Sequence, residues 1–202
     1  YEIMPSLVGS EMCIRDSDSR LNVLPLTIRF DEDEYKDGAT ITHHEFYEKL
    51  IESDTLPKTS QVTPYIFEEA ISEARSDGSD VLIITISSRL SGTYQSACIA
   101  AAEFDGRVYV VDSENVSVGE KALVTYAMQL ADSGMQCADI ADELNNRKQS
   151  LHTLALLDTL EYLKKGGRIS KTVALAGSLL SIKPVVTVRE GEVAILGKAP
   201  VS

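Results

Sequence analysis

Val81-Leu82-Ile83-Ile84-Thr85-Ile86-Ser87-Ser88-Arg89-Leu90-Ser91-Gly92-Thr93-Tyr94-Gln95-Ser96-Ala97 is the stretch whose reading decides the fold. Its first half is a run of apolar, β-branched residues bounded by small polar ones, the grammar of a strand covered on both faces in a parallel sheet. Its second half is a hydroxyl-rich turn leading into a helix. Ser91 is a suitable N-cap, Gly92 permits a ligand to approach the backbone, and Thr93 adds a hydroxyl beside the N–H groups of the new helix. A helix start presents unpaired donors and the positive end of a dipole, so phosphate or carboxylate is favoured there without any lysine or arginine. The turn therefore reads two ways, as an anion seat or as plain helix capping.

Upstream, VLPLTIRF (23–30) predicts a strand and Asp31 to Gly38 an acidic turn. Thr42 with Glu45 forms a capping box before an amphipathic helix carrying Phe46, Leu50 and Ile51. Pro57 to Pro64 contains Lys58-Thr59-Ser60-Gln61 and reads as a second polar loop, closed by Thr63 as N-cap and Pro64 as first helical residue. Phe67, Ala70, Ile71 and Ala74 stripe the helix that follows.

Downstream, a helix is expected from Tyr94 to about Phe104, then a strand ending at Asp112-Ser113. A second capping box, Ser117 with Glu120, precedes a helix to Ser133-Gly134 and an amphipathic helix from Cys137. Strands alternating with helices give an α/β fold: a parallel, Rossmann-like sheet flanked by helices. Ligands of such sheets bind at the carboxyl ends of the strands, where the TSQ loop and the SGT turn are expected to face each other.

The grammar changes at Leu151. EYLKKGG predicts a short helix stopped by Gly166-Gly167, Arg168-Ile169-Ser170 bridges to an apolar helix, and IKPVVTVREGEVAIL reads as a hairpin turning at Glu190-Gly191. The expected organisation is a leader over 1–17, an α/β domain over 18–150 and the start of a truncated α+β domain over 151–202. Residues 1–17 lack periodicity and PSLVGSEMCIRDS resembles translated sequencing-adapter sequence, so the leader is expected to be non-native or disordered. The last residues follow a strand-like run with no terminating element, which predicts that the natural chain continues.

A net charge of −12 and a pI near 4.7 argue against nucleic acid and anionic membranes as partners. No apolar run reaches the roughly 20 residues of a membrane span and no signal-peptide pattern opens the chain, so a cytoplasmic protein without membrane insertion is expected. Cys13, Cys98 and Cys137, like His43, His44 and His152, fall in no metal-ligand spacing, and no metal is expected. G-x-S-x-G, the P-loop and G-x-G-x-x-G are all missing from the sequence, so no catalytic set and no cofactor emerge. Asp112 at a strand end reads as a turn residue. What recurs is hydroxyls on turns: Thr59, Ser60, Ser87, Ser88, Ser91 and Thr93 suit neutral hydrogen bonding of a carboxylate.

Together KTSQ, SSRLSGTYQS, VVDSENVSVG and LEYLKKGGRIS, in this order, resemble the DegV family of bacterial fatty-acid-binding proteins, over about Leu21 to Gly197. The resemblance implies a two-domain carrier that is not itself an enzyme and buries a long-chain fatty acid between its domains. It presents the carboxylate to an ATP-dependent fatty acid kinase subunit, which makes an acyl phosphate for phospholipid synthesis. It places the carboxylate contacts on Thr59, Ser60, Ser91, Gly92 and Thr93, and the kinase and phosphate-transfer contact on Arg168. Ile169, Leu175 and Leu179 are the expected acyl-tunnel walls. Three departures stand out: the family's first βα unit is missing before Val23, Val62 replaces a proline after TSQ, and the family's C-terminal histidine region is absent. The alternative from the residues alone is an enzyme acting on a small phosphorylated or carboxylated metabolite at the helix-start anion site.

Overall fold

The computed structural model describes residues 2–6, 20–53, 55–169 and 182–200. At its centre is β5 (Val81–Thr85), in which all five residues are buried. Its side chains alternate between two cores, as a strand covered on both faces requires. Val81 and Ile83 pack with Phe67, Ala70, Ile71 and Ala74 of α2 (Pro64–Ala74) and with Ala97 and Ala100 of α3 (Thr93–Ala101). Leu82 and Ile84 pack on the other face with Leu123, Val124 and Ala127 of α4 (Val118–Asp132) and with Ile140 and Leu144 of α5 (Cys137–Arg147). Fully burying each of these side chains is worth about 1.5–3 kcal/mol relative to exposure, so the sandwich of helices about β5 is the main apolar store of the fold.

β6 (Val108–Asp112) pairs parallel with one edge of β5, and β1 (Glu2–Ser6) pairs parallel with the other in the register Glu2 to Val81. This is the α/β fold with a parallel sheet expected from the sequence. The pairing of β1 corrects the expectation that residues 1–17 stand wholly outside the fold. An open β5 edge offers a row of unpaired N–H and C=O groups, and an extended segment satisfies them whatever its side-chain pattern.

A second sheet was not expected. β2 (Thr27–Phe30) pairs antiparallel with β3 (Asp33–Lys36) and with β4 (Lys58–Ser60). The acidic segment read as a turn is thus mostly strand, the turn itself being Asp31-Glu32 with Asp31 at φ 50°. The KTSQ loop likewise begins as a strand, Thr59 opposite Ile28. The capping box of α1 (His43–Glu52) forms as read, Thr42 Oγ1 accepting the Glu45 N–H and the Glu45 carboxylate accepting the Thr42 N–H. Thr63 caps α2 with Pro64 in its first turn.

Antiparallel pairing returns after Arg147. β7 (Leu154–Leu156), β8 (Ile182–Arg189) and β9 (Glu192–Pro200) form a third sheet, with α6 (Glu161–Lys165) in the connection. Arg189 pairs with Glu192, and Glu190 and Gly191 take φ 51° and 79°, positive at both turn positions as a two-residue type I′ hairpin demands. Leu160, Ile169 and Val186 form this sheet's small core.

Candidate functional site

The turn between β5 and α3 is held from below by backbone bonds. The Ser87 N–H donates to the Asn115 carbonyl at 2.8 Å, and the Leu90 and Ser91 N–H groups both return to the Ser87 carbonyl at 3.0 and 3.1 Å. The Asp112 carboxylate accepts the N–H groups of Ser88 and Glu114, so Asp112 serves the turns, as read. Helix α3 begins at Thr93, one residue ahead of the expected Tyr94. Its N-cap is Gly92, not Ser91, and Ser91 instead shares a 2.9 Å hydrogen bond with the Thr93 hydroxyl and accepts the Thr93 N–H at 3.4 Å. Gly92 has no side chain to spend on the first amides of α3, so the positive end of that helix faces the turn.

Above the turn lies a cavity of about 720 Å³. Thr59, Ser60 and Gln61 line it from the end of β4, Ser88 to Gly92 from the turn, and Leu163, Arg168 and Val193 from the segment after Leu151. The TSQ segment and the SGT turn therefore share one cavity with Arg168. Leu26, Ile86 and Val116 supply further apolar wall. In a chain of net charge −12, the described wall carries two arginines, Arg89 and Arg168, and no carboxylate, so the local field favours an anion.

Arg168 is placed by the glycine pair before it. Gly167 takes φ 72° and donates to the Lys164 carbonyl, while the Arg168 N–H donates to the Leu163 carbonyl, the two bonds of a Schellman motif closing α6. Its side chain then reaches the β5–α3 turn, Nε donating to the Leu90 carbonyl at 3.3 Å and Nη1 to the Gly166 carbonyl at 2.5 Å. The hairpin closes in from the other side. Ser87 Oγ donates to the Gly191 carbonyl at 2.7 Å, and a Cβ on Gly191 would meet the Arg89 side chain at 3.1 Å.

Two expected site residues sit elsewhere. Thr93 is fully buried behind Ser91, a support for that hydroxyl and not part of the cavity wall. Ile169 is buried in the small core with Leu160 and Val186, because an apolar residue following the Schellman turn packs back against the sheet. Leu175 and Leu179 lie outside the described residues. Gln61 and Arg89 were not singled out by the sequence. Arg89 carried a signal, a lone cation inside a hydroxyl turn; Gln61 carried none, since its partners are distant in the chain.

The start of α4 is the second surprise. The Ser117–Glu120 capping box does not form: Ser117 sits at φ 56°, ψ −120°, outside the extended region an N-cap needs, and makes no side-chain cap bond. Glu120 turns inward instead and is fully buried, with neither carboxyl oxygen hydrogen-bonded among the described residues. Burial, and secondarily the charge of Asp112, push its pKa well above the usual carboxylate range. Among the described residues no helix is long and apolar enough to cross a membrane, and no cluster of histidine, cysteine or acidic side chains has the makings of a metal site.

Comparison with known proteins decides the kinship. The family model described as uncharacterised protein, DegV family, matches residues 14–201. This chain belongs to the DegV family. A DegV domain-containing protein of Clostridium perfringens is 37% identical over 179 residues, covering 88% of this chain and 64% of that protein. The chain thus spans a little under two thirds of the length of the curated relatives it matches. Among solved structures, a DegV family protein from Thermus thermophilus, described by its fatty acid binding, superposes with a TM-score of 0.85 at 35% identity, over 98% of this chain and 71% of that one. A stearic acid-binding protein from Eubacterium ventriosum gives a TM-score of 0.84 at 26% identity, over 99% and 71%. The parallel sheet with flanking helices is the DegV fold.

Proposed function

We propose that this chain binds a long-chain fatty acid between its 18–150 and 151–202 units and presents the carboxylate to an ATP-dependent fatty acid kinase in the cytoplasm. The observation that carries this reading is the single cavity into which Thr59, Ser60, Ser91 and Gly92 open beside Arg168. Hydroxyls hold a carboxylate by neutral hydrogen bonds and leave its oxygens nucleophilic, where a buried ion pair would depress their reactivity. In the transfer, a carboxylate oxygen attacks the γ-phosphorus of ATP, the bond to ADP breaks, and an acyl phosphate for phospholipid synthesis results. Arg168, exposed at the rim and anchored to the Leu90 and Gly166 carbonyls, serves the encounter with the kinase and the incoming phosphoryl group. Affinity comes from the acyl chain, at about 0.8 kcal/mol per buried methylene, so the head-group seat is free to be shaped for transfer.

Kinship supports the ligand class, since relatives of the same fold at 26–35% identity are described as binding fatty acids or stearic acid. The test is native mass spectrometry of the purified protein before and after delipidation. A copurifying or rebinding fatty acid, diminished in Ser91→Ala, is the expected result. A protein that neither retains nor rebinds fatty acid but turns over a small phosphorylated metabolite alone would replace this reading with an enzymatic one.

A further inference from the structure

Gly92 poses a question that its backbone does not answer. Its φ of −75° and ψ of 3° are open to any residue, so glycine is not needed there for conformational freedom. It is needed for room. A Cβ on Gly92 would meet Gln61 Oε1 at 2.0 Å and the Gln61 amide carbon at 2.8 Å. The Gln61 amide fills this position with its oxygen nearest, and its Nε2 donates at 2.9 Å to the hydroxyl of buried Ser96, one helical turn along the same face of α3. Gln61 follows directly on Thr59 and Ser60 of β4, whereas Gly92 and Ser96 belong to the turn and helix that carry Ser91.

We infer that Gln61 is the positioning residue of the carboxylate seat: bonded to Ser96 and seated in the space left by Gly92, its amide locks the Thr59–Ser60 segment against the Ser91 turn at the spacing one carboxylate requires. This deepens the fatty-acid reading and rests on it. β4 has three exposed residues and, among the described residues, one neighbouring strand, β2, so the Gln61 bridge is the side-chain tie that fixes its end to α3. Gly92 and Ser96 act through Gln61. Because the group that a Cβ at Gly92 would strike is the end of a flexible side chain, Gly92→Ala displaces the amide and spares the backbone.

The test compares palmitate with 1-hexadecanol, which shares the acyl chain and lacks the carboxylate, against wild type, Gln61→Ala, Ser96→Ala, Gly92→Ala and Gln61→Ala/Gly92→Ala. Each single variant is expected to weaken palmitate about five- to tenfold, the effect of one lost hydrogen bond, and to leave hexadecanol within about twofold of wild type. The double variant should bind palmitate no worse than either single. Wild-type palmitate affinity in Gln61→Ala, equal losses for both ligands, or additive losses would overturn the inference. Hydrogen exchange of the ligand-free protein reads the lock independently of any lipid. Faster exchange at residues 58–60 and 90–93 in Gln61→Ala supports it, and unchanged exchange overturns it, even if wild type binds neither ligand and the fatty-acid reading falls alone.

Discussion

Gly92 and Gly119 sit at matching places, each at the start of the helix that follows a parallel strand, and a Cβ on either would come within 2.0 Å of an amide oxygen. Their neighbours differ. At Gly92 the oxygen belongs to Gln61, on the exposed rim of the cavity; at Gly119 it belongs to Asn115, buried and accepting a 2.6 Å hydrogen bond from the Thr153 hydroxyl, which is itself 2.3 Å from that Cβ. The turn after β5 is therefore arranged to receive something, and the turn after β6 to hold the segment beyond Leu151 in place. One βα grammar, used twice, yields an open seat and a closed joint.

The comparison breaks most sharply on alanine at the two glycines. Gly119→Ala must force apart a buried hydrogen-bonded pair, a loss of about 2–3 kcal/mol, and should lower Tm by about 5–10 °C, whereas Gly92→Ala, which displaces only the flexible Gln61 amide and its bond to Ser96, should lower Tm by no more than about 3 °C. Calorimetry of the two variants checks this, and equal shifts would erase the distinction. Next in size is Ser87→Ala, which leaves the buried Gly191 carbonyl without its 2.7 Å donor and should cost about 1–2 kcal/mol, or about 3–6 °C in Tm. Because that bond joins the open seat to the hairpin, faster hydrogen exchange at Glu190 and Gly191 should accompany the loss.

Glu120 sharpens the comparison through pH. Its folded pKa is raised above the ordinary 4.5 by burial, so the native state keeps a proton that the unfolded chain releases. The stability it contributes is complete below that ordinary value and drains away as pH rises towards the folded one. Glu120→Gln keeps the shape and removes the titration. The gap in Tm between variant and wild type should open in the variant's favour as pH rises from 4.5 to about 8, which a pair of thermal scans decides.

What the sequence disclosed follows from how far apart the interacting residues are in the chain. The Lys164-Lys165-Gly166-Gly167-Arg168 stop was legible because every bond of a Schellman motif is local, and the Glu190-Gly191 hairpin for the same reason. The two capping boxes carry the same spacing, yet only Thr42–Glu45 formed: Ser117 takes φ 56°, outside the region an N-cap needs, and Glu120 belongs to the interior. β4 was invisible because Lys58, Thr59 and Ser60 are all exposed and offer no hydrophobic alternation. The hydroxyls of the candidate site were readable one by one on their turns. The Gln61–Ser96 bond, spanning 35 residues, was not, and neither was the burial of Thr93 behind Ser91.

The open seat is tested most directly by carbon-13 NMR of carboxyl-labelled palmitate added to the delipidated protein. One bound carboxyl resonance, moved by Ser91→Ala and by Thr59→Ala but not by Ser87→Ala, is the result predicted here. A bound resonance indifferent to both Ser91 and Thr59, or no bound resonance at all, would contradict a carboxylate held between those two hydroxyls.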